Sequence, residues 1–303
     1  MSKPNQLLTS PSALKRLLQA MQILPQKGLG QHFLVDSNIL RKLVEVAQVQ
    51  PADRVLEIGP GPGALTQALL DTGAHLLAVE KDPLLAEQLL RLQTEDKRLV
   101  VACADFLSFP LPQTKRPLKV VANLPYLSSR AILQKLLPLS PSISTLTLMM
   151  QWEVAQKMLA AVRSTTYGPL ALLVQSYASA RICFKVAPTC FYPPPKVWSA
   201  VVHLTLQRPP AADMEGLFAL IQRAFRQRRK RLTSSLQNAF PTQVVHEALA
   251  TLGLRQESRP HELTLRHFIE LFENIQTGAG QSRPRSEREE IGQREGALRD
   301  SAE

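Results

Sequence analysis

The sequence of 303 residues predicts an α/β fold followed by a small all-α domain. Strand-like apolar segments alternate with helical segments from residue 53 to residue 151, which is typical of a parallel sheet covered by helices. Two later strand-like segments predict an antiparallel end to the same sheet. Beyond residue 213 the apolar spacing is helical throughout.

The elements follow from apolar patterns and their boundary residues. Apolar runs predict strands over 53–59, 74–82, 98–106, 118–126, 142–151, 180–187 and 199–207. Helical spacing predicts helices over 37–48, 63–73, 83–93 and 129–137, and then over 214–226, 228–239, 242–252 and 264–274. Gly73 ends the second helix, and Pro83 occupies the first turn of the third.

Composition divides the chain into four parts. Residues 1–25 are too polar for a secretory signal, so we expect an N-terminal leader or a frayed helix there. The alternating pattern gives a first domain over 26–208, and the segment 208–213, rich in proline, predicts a linker. Residues 213–275 form the helical domain, and the polar stretch 276–303 predicts a disordered tail.

Composition also restricts the compartment and the partner. No apolar run approaches the ~20 residues that cross a bilayer. The three cysteines have no metal-ligand spacing, so we expect no metal and buried, reduced thiols in a cytoplasmic protein. The net charge of +11 favours a polyanion such as nucleic acid over an anionic membrane.

The basic charge is concentrated in one segment of the helical domain. Residues 221–235 contain no acid and include Arg223, Arg226, Arg228, Arg229, Lys230 and Arg231. A solvated helix face is the ordinary interpretation of a basic run, but charges this dense repel one another. A phosphate backbone would relieve that repulsion, so this segment predicts contact with nucleic acid.

A glycine-rich turn follows the first strand of the sheet. The segment VLEIGPGPGALT places Gly59, Gly61 and Gly63 before a helix, where glycine permits a positive φ and lets a ligand approach the backbone. Glu80 ends the second strand, where an acid can accept hydrogen bonds from ribose hydroxyls. Alone, the turn is also compatible with a plain connection between strand and helix.

Two classes of cofactor compete for this turn. The nicotinamide fingerprint is G-x-G-x-x-G, whereas this turn reads G-x-G-x-G. Glu57 inside the motif would repel a pyrophosphate but would suit a cofactor that has an ammonium and a sulfonium. The motif therefore favours S-adenosylmethionine over NAD.

Two further polar positions end the third and fourth strands. Asp105 can accept from an adenine amine, although an N-cap or loop role is the ordinary interpretation. The stretch VVANLPYLSS ends an apolar strand at Asn123, followed by a proline and an aromatic ring, which alone form a turn. Because carboxyl ends of parallel strands share an edge, we expect Gly59, Glu80, Asp105 and Asn123 to face one crevice.

These motifs resemble, in order and over residues 25–275, those of the KsgA/RsmA-type ribosomal RNA adenine dimethyltransferases. The segments that carry the resemblance are KGLGQHFLVD, VLEIGPGPGALT, VEKD, ADFL, NLPY, MMQWEVAQKM, YGPLALLVQ, FYPPPKVWSAVVHL and FRQRRKRL. The resemblance implies a Rossmann-like methyltransferase domain with S-adenosylmethionine as donor. It implies two N6-methyl groups on each of two adjacent adenines in the 3′-terminal hairpin of 16S rRNA, in small-subunit biogenesis.

The resemblance also implies site residues at the matching positions of this chain. Cofactor contacts are expected at His32, Leu34, Gly59, Gly61, Glu80, Asp105 and Asn123. Catalytic roles are expected at Asn123, Leu124, Pro125 and Tyr126. Stacking on the target base is expected from Tyr126 and Phe191, and the latter fits a core position nearly as well. RNA contacts are expected at Arg226, Arg228, Arg229, Lys230 and Arg231.

Two positions depart from the family pattern, and two alternative functions stay open. His32 stands where relatives more often have Asn, and Trp198 stands where a polar or acidic residue is common. One alternative is the erythromycin-resistance methyltransferases of large-subunit rRNA, which typically have Ile in place of Leu124. The other is an assembly factor that mainly binds RNA. A monomer is a family expectation.

Overall fold

The computed structural model describes residues 8, 10–23, 25, 30–114 and 116–281. The chain divides into two compact units. The first comprises Met1–Ala160 and Leu170–Pro210, and the second comprises Ala161–Pro169 and Ala211–Glu303. The short segment Ala161–Pro169 therefore belongs to the helical unit, although it lies within the first domain in sequence.

The first unit is built on a seven-stranded sheet. Its strands are β2 (Arg54–Ile58), β3 (His75–Glu80), β4 (Leu99–Cys103), β5 (Leu118–Asn123), β6 (Ile143–Gln151), β7 (Ala178–Val186) and β9 (Ser199–Leu206). They lie in the order β4-β3-β2-β5-β6-β9-β7. Strands β4, β3, β2, β5 and β6 pair in parallel, and β9 runs antiparallel between β6 and β7. The predicted mostly parallel sheet with an antiparallel end is confirmed.

Helices and one short ribbon complete the first unit. The helices are α1 (Pro11–Ala20), α2 (Ser37–Ala47), α3 (Ala64–Leu70), α4 (Pro83–Glu95), α5 (Ser129–Leu136), α6 (Trp152–Met158) and α7 (Pro169–Tyr177). The ribbon pairs β1 (Phe33–Leu34) antiparallel with β8 (Phe191–Tyr192). Sequence patterns miss the ribbon because two residues have no periodicity, and they miss α7 because it is apolar on most faces.

The strand order creates a crevice at the carboxyl edge of the sheet. Strand β2 pairs with β3 on one side and with β5 on the other, so the chain leaves the centre of the sheet in both directions. Such a switch point leaves a gap between the loops that follow the two central strands. The apolar run Val120–Ala122 is fully buried, as expected for a strand covered on both faces.

The segment expected to be a leader contains a packed helix. Helix α1 begins after Ser10, whose hydroxyl accepts the N–H of Ala13 at 3.5 Å. Leu14 and Leu18 on its apolar face are buried in a cluster with Phe33. This apolar stripe makes α1 part of the first unit; residues 1–7, 9, 24 and 26–29 lie outside the described residues.

The second unit contains the helices α8 (Met214–Phe225), α9 (Leu232–Leu236), α10 (Thr242–Thr251) and α11 (Leu265–Gln281). Helix α9 is much shorter than the predicted 228–239, because Arg231 is extended at φ −62° and ψ 149° and separates it from α8. Buried Phe272 and Ile275 anchor helix α11, which continues beyond them for six residues into the predicted tail. The rest of that tail, 282–303, lies outside the described residues.

Two further expectations concern the burial of the cysteine thiols and the presence of membrane-spanning helices. Cys103 is exposed at the end of β4, and Cys183 and Cys190 are only half-buried, so the expectation of buried thiols is wrong. A strand end at the rim of a sheet leaves its last side chain open to solvent. Among the described helices, none has both the length and the apolarity to span a bilayer.

Candidate active site

A cavity of about 270 Å³ opens at the carboxyl edge of the sheet in the first unit. Gly59, Glu80, Asp105 and Asn123 line it, and they lie at or just beyond the ends of β2, β3, β4 and β5. The structure therefore brings together the four strand-end residues that the sequence places in one crevice.

The glycine turn allows a close approach to the backbone on one side of the cavity. Gly59 and Gly61 have φ of +64° and +58°, in the left-handed region that side chains disfavour. A Cβ on Gly61 would lie 2.9 Å from Cδ1 of Phe33, so the space is closed as well. Phe33 also lines the cavity, and its place between His32 and Leu34 in the motif is the signal that could have identified it.

Glu80 is a buried carboxylate held by backbone donors. The N–H of Gly61 donates to its Oε2 at 2.9 Å, and the N–H of Asp82 donates to its Oε1 at 2.8 Å. Only 5% of the residue is exposed, and burial raises the pKa of its carboxyl. Two donors leave further lone pairs on the carboxylate for a ligand in the cavity.

Asp105 has a structural role at the cavity wall. Lys81 Nζ lies 2.8 Å from its Oδ2, and this hydrogen bond lowers the pKa of the Asp105 carboxyl. The N–H of Leu107 donates to Oδ1 at 2.8 Å, so the residue also caps the following turn. Asp105 therefore caps the turn that follows β4 and also lines the cavity.

Asn123 lines the cavity and has a buried side-chain oxygen. Its Nδ2 donates to the carbonyl of His32 at 2.9 Å, which fixes the orientation of the amide. Its Oδ1 is buried and has no hydrogen-bond partner among the described residues. A buried acceptor without a donor costs about 1–3 kcal/mol, and such groups in native proteins call for an explanation.

Tyr126 and His32 form an aromatic pair beside Asn123. Their ring centroids are 5.1 Å apart and the planes are tilted by 36°. The Tyr126 hydroxyl is hydrogen-bonded to Ser199 Oγ, and burial raises the pKa of the phenol. His32 Nδ1 donates to the carbonyl of Pro193 at 2.7 Å. Both rings are therefore fixed in place before any ligand binds.

Two of the expected site residues do not reach this cavity. Leu34 and Phe191 lie opposite each other in the β1–β8 ribbon, and both side chains are buried in the core of the first unit. The ribbon register directs them inward, whereas the neighbouring His32 and Phe33 line the cavity. The burial of Phe191 fits the core interpretation of this residue.

Glu57 lies in the interior next to the cavity. Its Oε2 accepts the hydroxyl of Thr66 at 2.7 Å, and its Oε1 has no partner among the described residues. Burial raises the pKa of this carboxyl to about 8. Glu57 borders a void of about 30 Å³ that Gly59 and Asn123 also line. In the described part of the chain, no group of three His, Cys, Asp or Glu side chains is placed to hold a metal ion.

The basic segment of the second unit is largely exposed. Arg226, Arg229, Lys230 and Arg231 are open to solvent. Arg228 differs, because its guanidinium donates to the carbonyls of Ser164, at 2.6 Å, and Thr165. A pocket of about 150 Å³ in the same unit has no acidic wall and is lined by Arg223, Arg226, Gln227, Ser234, Ser235, Asn238 and Ala239.

Known proteins resemble both the sequence and the fold. The family model described as ribosomal RNA adenine dimethylase matches residues 24–277. Ribosomal RNA small subunit methyltransferase A of Protochlamydia amoebophila is 42% identical over 273 residues, which cover 88% of this chain and 96% of that protein.

Two solved structures share the fold of the chain. A dimethyladenosine transferase from Plasmodium falciparum has a TM-score of 0.69 and 25% identity, covering 78% of this chain and 95% of its own. The 23S rRNA methyltransferase ErmE has a TM-score of 0.61 and 28% identity, covering 80% of this chain and 99% of its own. These neighbours agree with a Rossmann-like methyltransferase fold followed by a helical region.

The family match extends over both units of the chain. It includes the glycine turn, the strand-end acids and the Asn-Leu-Pro-Tyr turn that together form the cavity, and also the basic segment of the helical unit. On this match and on the cavity geometry, the chain belongs to the ribosomal RNA adenine dimethylase family.

Proposed function

We propose that this chain transfers methyl groups from S-adenosylmethionine to N6 of two adjacent adenines in the 3′-terminal hairpin of small-subunit rRNA, two to each adenine. The observation that carries the proposal is the unpaired, buried Oδ1 of Asn123 at the cavity. It supplies an acceptor where an adenine amine needs one. Membership of the family supports the reaction, and the curated relatives named for the small subunit support the substrate.

The cavity residues fit S-adenosylmethionine. Glu80 has free lone pairs for ribose hydroxyls, and Asp105 can accept an adenine amine. At Gly61 the ring of Phe33 packs against the backbone where a side chain would lie, so the glycine lets Phe33 line the cavity. Glu57 has a buried oxygen without a partner among the described residues, and an ammonium group nearby would favour the charged form of this carboxyl. When bound, the cofactor supplies an electrophilic methyl group on a sulfonium.

The chemical task of the protein is to make adenine N6 nucleophilic. The lone pair of N6 is delocalised into the ring, and its N–H groups are far too weakly acidic for a carboxylate base. Two acceptors for these N–H groups would let the nitrogen become pyramidal and direct its lone pair towards the methyl group. Asn123 Oδ1 and the Leu124 carbonyl are the acceptors that we propose.

The residues around these acceptors hold them still. The N–H of Leu124 donates to the carbonyl of Met149 at 2.9 Å, which anchors the turn to β6. Pro125 restricts Leu124 to extended backbone and contributes no competing N–H. Positioned groups of this kind lower the barrier by fixing donor and acceptor in line.

We propose that Tyr126 stacks on the extruded adenine. A base that is taken out of its helix loses its stacking partners, and one aromatic contact restores about 1–3 kcal/mol. Because the hydroxyl of Tyr126 is bonded to Ser199, the plane of the ring is fixed at the cavity. The face of the ring contributes to binding, and the hydroxyl positions it.

The second unit supports an RNA substrate. Its exposed Arg and Lys side chains and the acid-free pocket that includes Arg223 and Arg226 suit phosphate groups. We propose that these residues hold rRNA in an immature small subunit, with the protein acting as a monomer in the cytoplasm.

Two other functions compete with this one. The likeness to ErmE makes methylation of large-subunit rRNA an alternative function, but the relatives at about 40% identity are named for the small subunit. An assembly factor without catalysis would not need the unpaired acceptor of Asn123.

Labelled S-adenosylmethionine, offered with immature small subunits, naked small-subunit rRNA or large subunits, distinguishes the proposed function from these two alternatives. We expect label in immature small subunits; label only in large subunits, or none, would contradict the proposal.

The role of Asn123 can be tested by removing its side-chain oxygen. We expect Asn123→Ala to slow methyl transfer about a hundredfold or more, because one acceptor for the amine is lost. Affinity for S-adenosylmethionine, measured by calorimetry, should fall only modestly. Asn38→Ala, at an exposed position on α2, is the matched control and should retain full activity. Full activity in Asn123→Ala would eliminate this role.

The basic segment can be tested by its salt dependence. We expect the combined change of Arg226, Arg229 and Lys230 to Ala to weaken RNA binding and to reduce the slope of log K against log salt by roughly 2–3. Arg228 is spared because it binds the carbonyls of Ser164 and Thr165.

A control for this test removes the same charge elsewhere. The matched triple variant changes exposed residues of the first unit to Ala, namely Lys15, Lys42 and Lys97. It should leave the salt slope close to that of the unchanged protein. Equal slopes for both triple variants would exclude the basic segment as the phosphate contact.

Glu57 makes a testable contribution to the pH dependence of stability. Its pKa is raised from 4.5 to about 8 in the folded chain. Folding therefore favours the protonated form of Glu57. The contribution of this group to the free energy of unfolding is complete below pH about 4.5 and is lost as the pH rises through about 8. Chemical denaturation should show that Glu57→Gln flattens this fall in the free energy of unfolding. Glu95→Gln, at an exposed position, should not; identical profiles for the two variants would refute the assignment.

A further inference from the structure

Two tryptophans and a lysine form a cluster on the surface of the first unit. Lys185 Nζ lies 4.8 Å from the ring centroid of Trp152 and 4.4 Å from that of Trp198. A cation between two indoles holds both rings by cation–π attraction. The backbone N–H of Trp152 also donates to the backbone carbonyl of Trp198 at 2.9 Å, which joins the two segments that carry the indoles. The contact with Lys185 therefore positions the Trp198 indole although the residue lies at the surface.

This cluster adjoins the cavity. Trp198 directly precedes Ser199, whose Oγ is hydrogen-bonded to the Tyr126 hydroxyl. Ser199 pairs with Gln151 across β6 and β9, and Trp152 follows Gln151 directly. Both indoles therefore lie at the same edge of the sheet as the ring that we propose to stack on the target base.

The Trp198 indole has unused apolar surface. It is 46% exposed, and the adjacent Val197 and the cavity-lining Leu127 are 45% and 73% exposed. Lys185 covers one face of the ring, which leaves the opposite face for a planar partner. Exposed apolar side chains of this size on adjacent residues are typical of a binding surface.

The charges around the indole favour RNA as that partner. Lys185 and Lys196 are exposed, and none of the ion pairs in the described residues involves either of them. An aromatic ring flanked by unpaired cations is the usual arrangement for binding single-stranded nucleic acid, with a base on the ring and phosphates near the charges.

We propose that Trp198 is a stacking platform for a nucleobase adjacent to the methylated adenines, with Lys185 and Lys196 near the phosphates of that nucleotide. The proposal rests on the proposed function, since it takes RNA as the substrate.

Fluorescence gives the first test, because Trp152 and Trp198 are the two tryptophans of the chain. Trp152→Phe leaves Trp198 as the single indole and keeps an aromatic ring against Lys185. A synthetic RNA hairpin with two adjacent adenines in its loop is titrated into this variant. We expect quenching of the Trp198 emission as the RNA saturates the protein. Unchanged emission at saturation would overturn the proposal.

Binding of modified RNA gives the second test. We expect Trp198→Ala to weaken binding of the hairpin about five- to a hundredfold, and Trp198→Phe to stay within about threefold of the unchanged protein. Hairpins with one abasic nucleotide on either side of the adenine pair lack one stacking base each. We expect one of these abasic hairpins to bind the unchanged protein more weakly than the intact hairpin does. Trp198→Ala should bind that abasic hairpin and the intact hairpin with equal affinity. Leu90→Ala, which removes an exposed apolar side chain on α4, should bind all hairpins like the unchanged protein.

The outcomes separate the platform from the proposed function. If the unchanged protein methylates immature small subunits and Trp198→Ala binds every hairpin equally well, the platform is refuted and the function stands. If the unchanged protein neither binds the hairpin nor labels small subunits, the proposed function fails, and the platform fails with it. If Trp198→Ala loses affinity equally for intact and abasic hairpins, the residue acts on structure and the platform is again refuted.

Discussion

The candidate site depends on one hydrogen bond, from Asn123 Nδ2 to the carbonyl of His32. This bond joins the end of the central strand β5 to the ribbon segment near the start of the chain, across 91 positions of sequence. It uses the donor nitrogen of the amide, and the buried acceptor oxygen has no partner among the described residues. His32 is held in turn by the carbonyl of Pro193, which ties the other strand of the ribbon to the same place.

Burial of two acids next to this bond sets the electrostatics of the interior. Glu80 has two backbone donors, whereas Glu57 has the single hydroxyl of Thr66. Burial is the main cause of the raised pKa of both carboxyls, and the charge of Glu80 raises that of Glu57 further. An interior with unsatisfied acceptors of this kind stabilises a cation or a donor-rich ligand better than a phosphate, which agrees with the preference for S-adenosylmethionine over a dinucleotide.

The sequence predicts what is local or periodic and misses what depends on register. The seven strands of the sheet and the crevice residues Glu80 and Asn123 follow from apolar runs and from the polar residue that ends each run. The inward direction of Leu34 and Phe191 is fixed by the pairing of two-residue strands, which leave no pattern in the sequence. The bonds from Arg228 to two carbonyls in Ala161–Pro169 also escape prediction, because they join segments that are distant along the chain.

Recognition of one adenine pair in a long RNA requires more than the basic segment can provide. Contacts to phosphates add affinity at any sequence, whereas discrimination comes from contacts to bases. In this chain the base-level contacts would come from Asn123 and Tyr126, and from Trp198 beside them. The hydrogen bond between the Tyr126 hydroxyl and Ser199 therefore matters, because it ties the Tyr126 ring to the backbone segment that carries Trp198. An RNA whose bases fit both rings would be held with its adenine at the unpaired oxygen of Asn123, while the phosphates of any other RNA could still bind the basic segment.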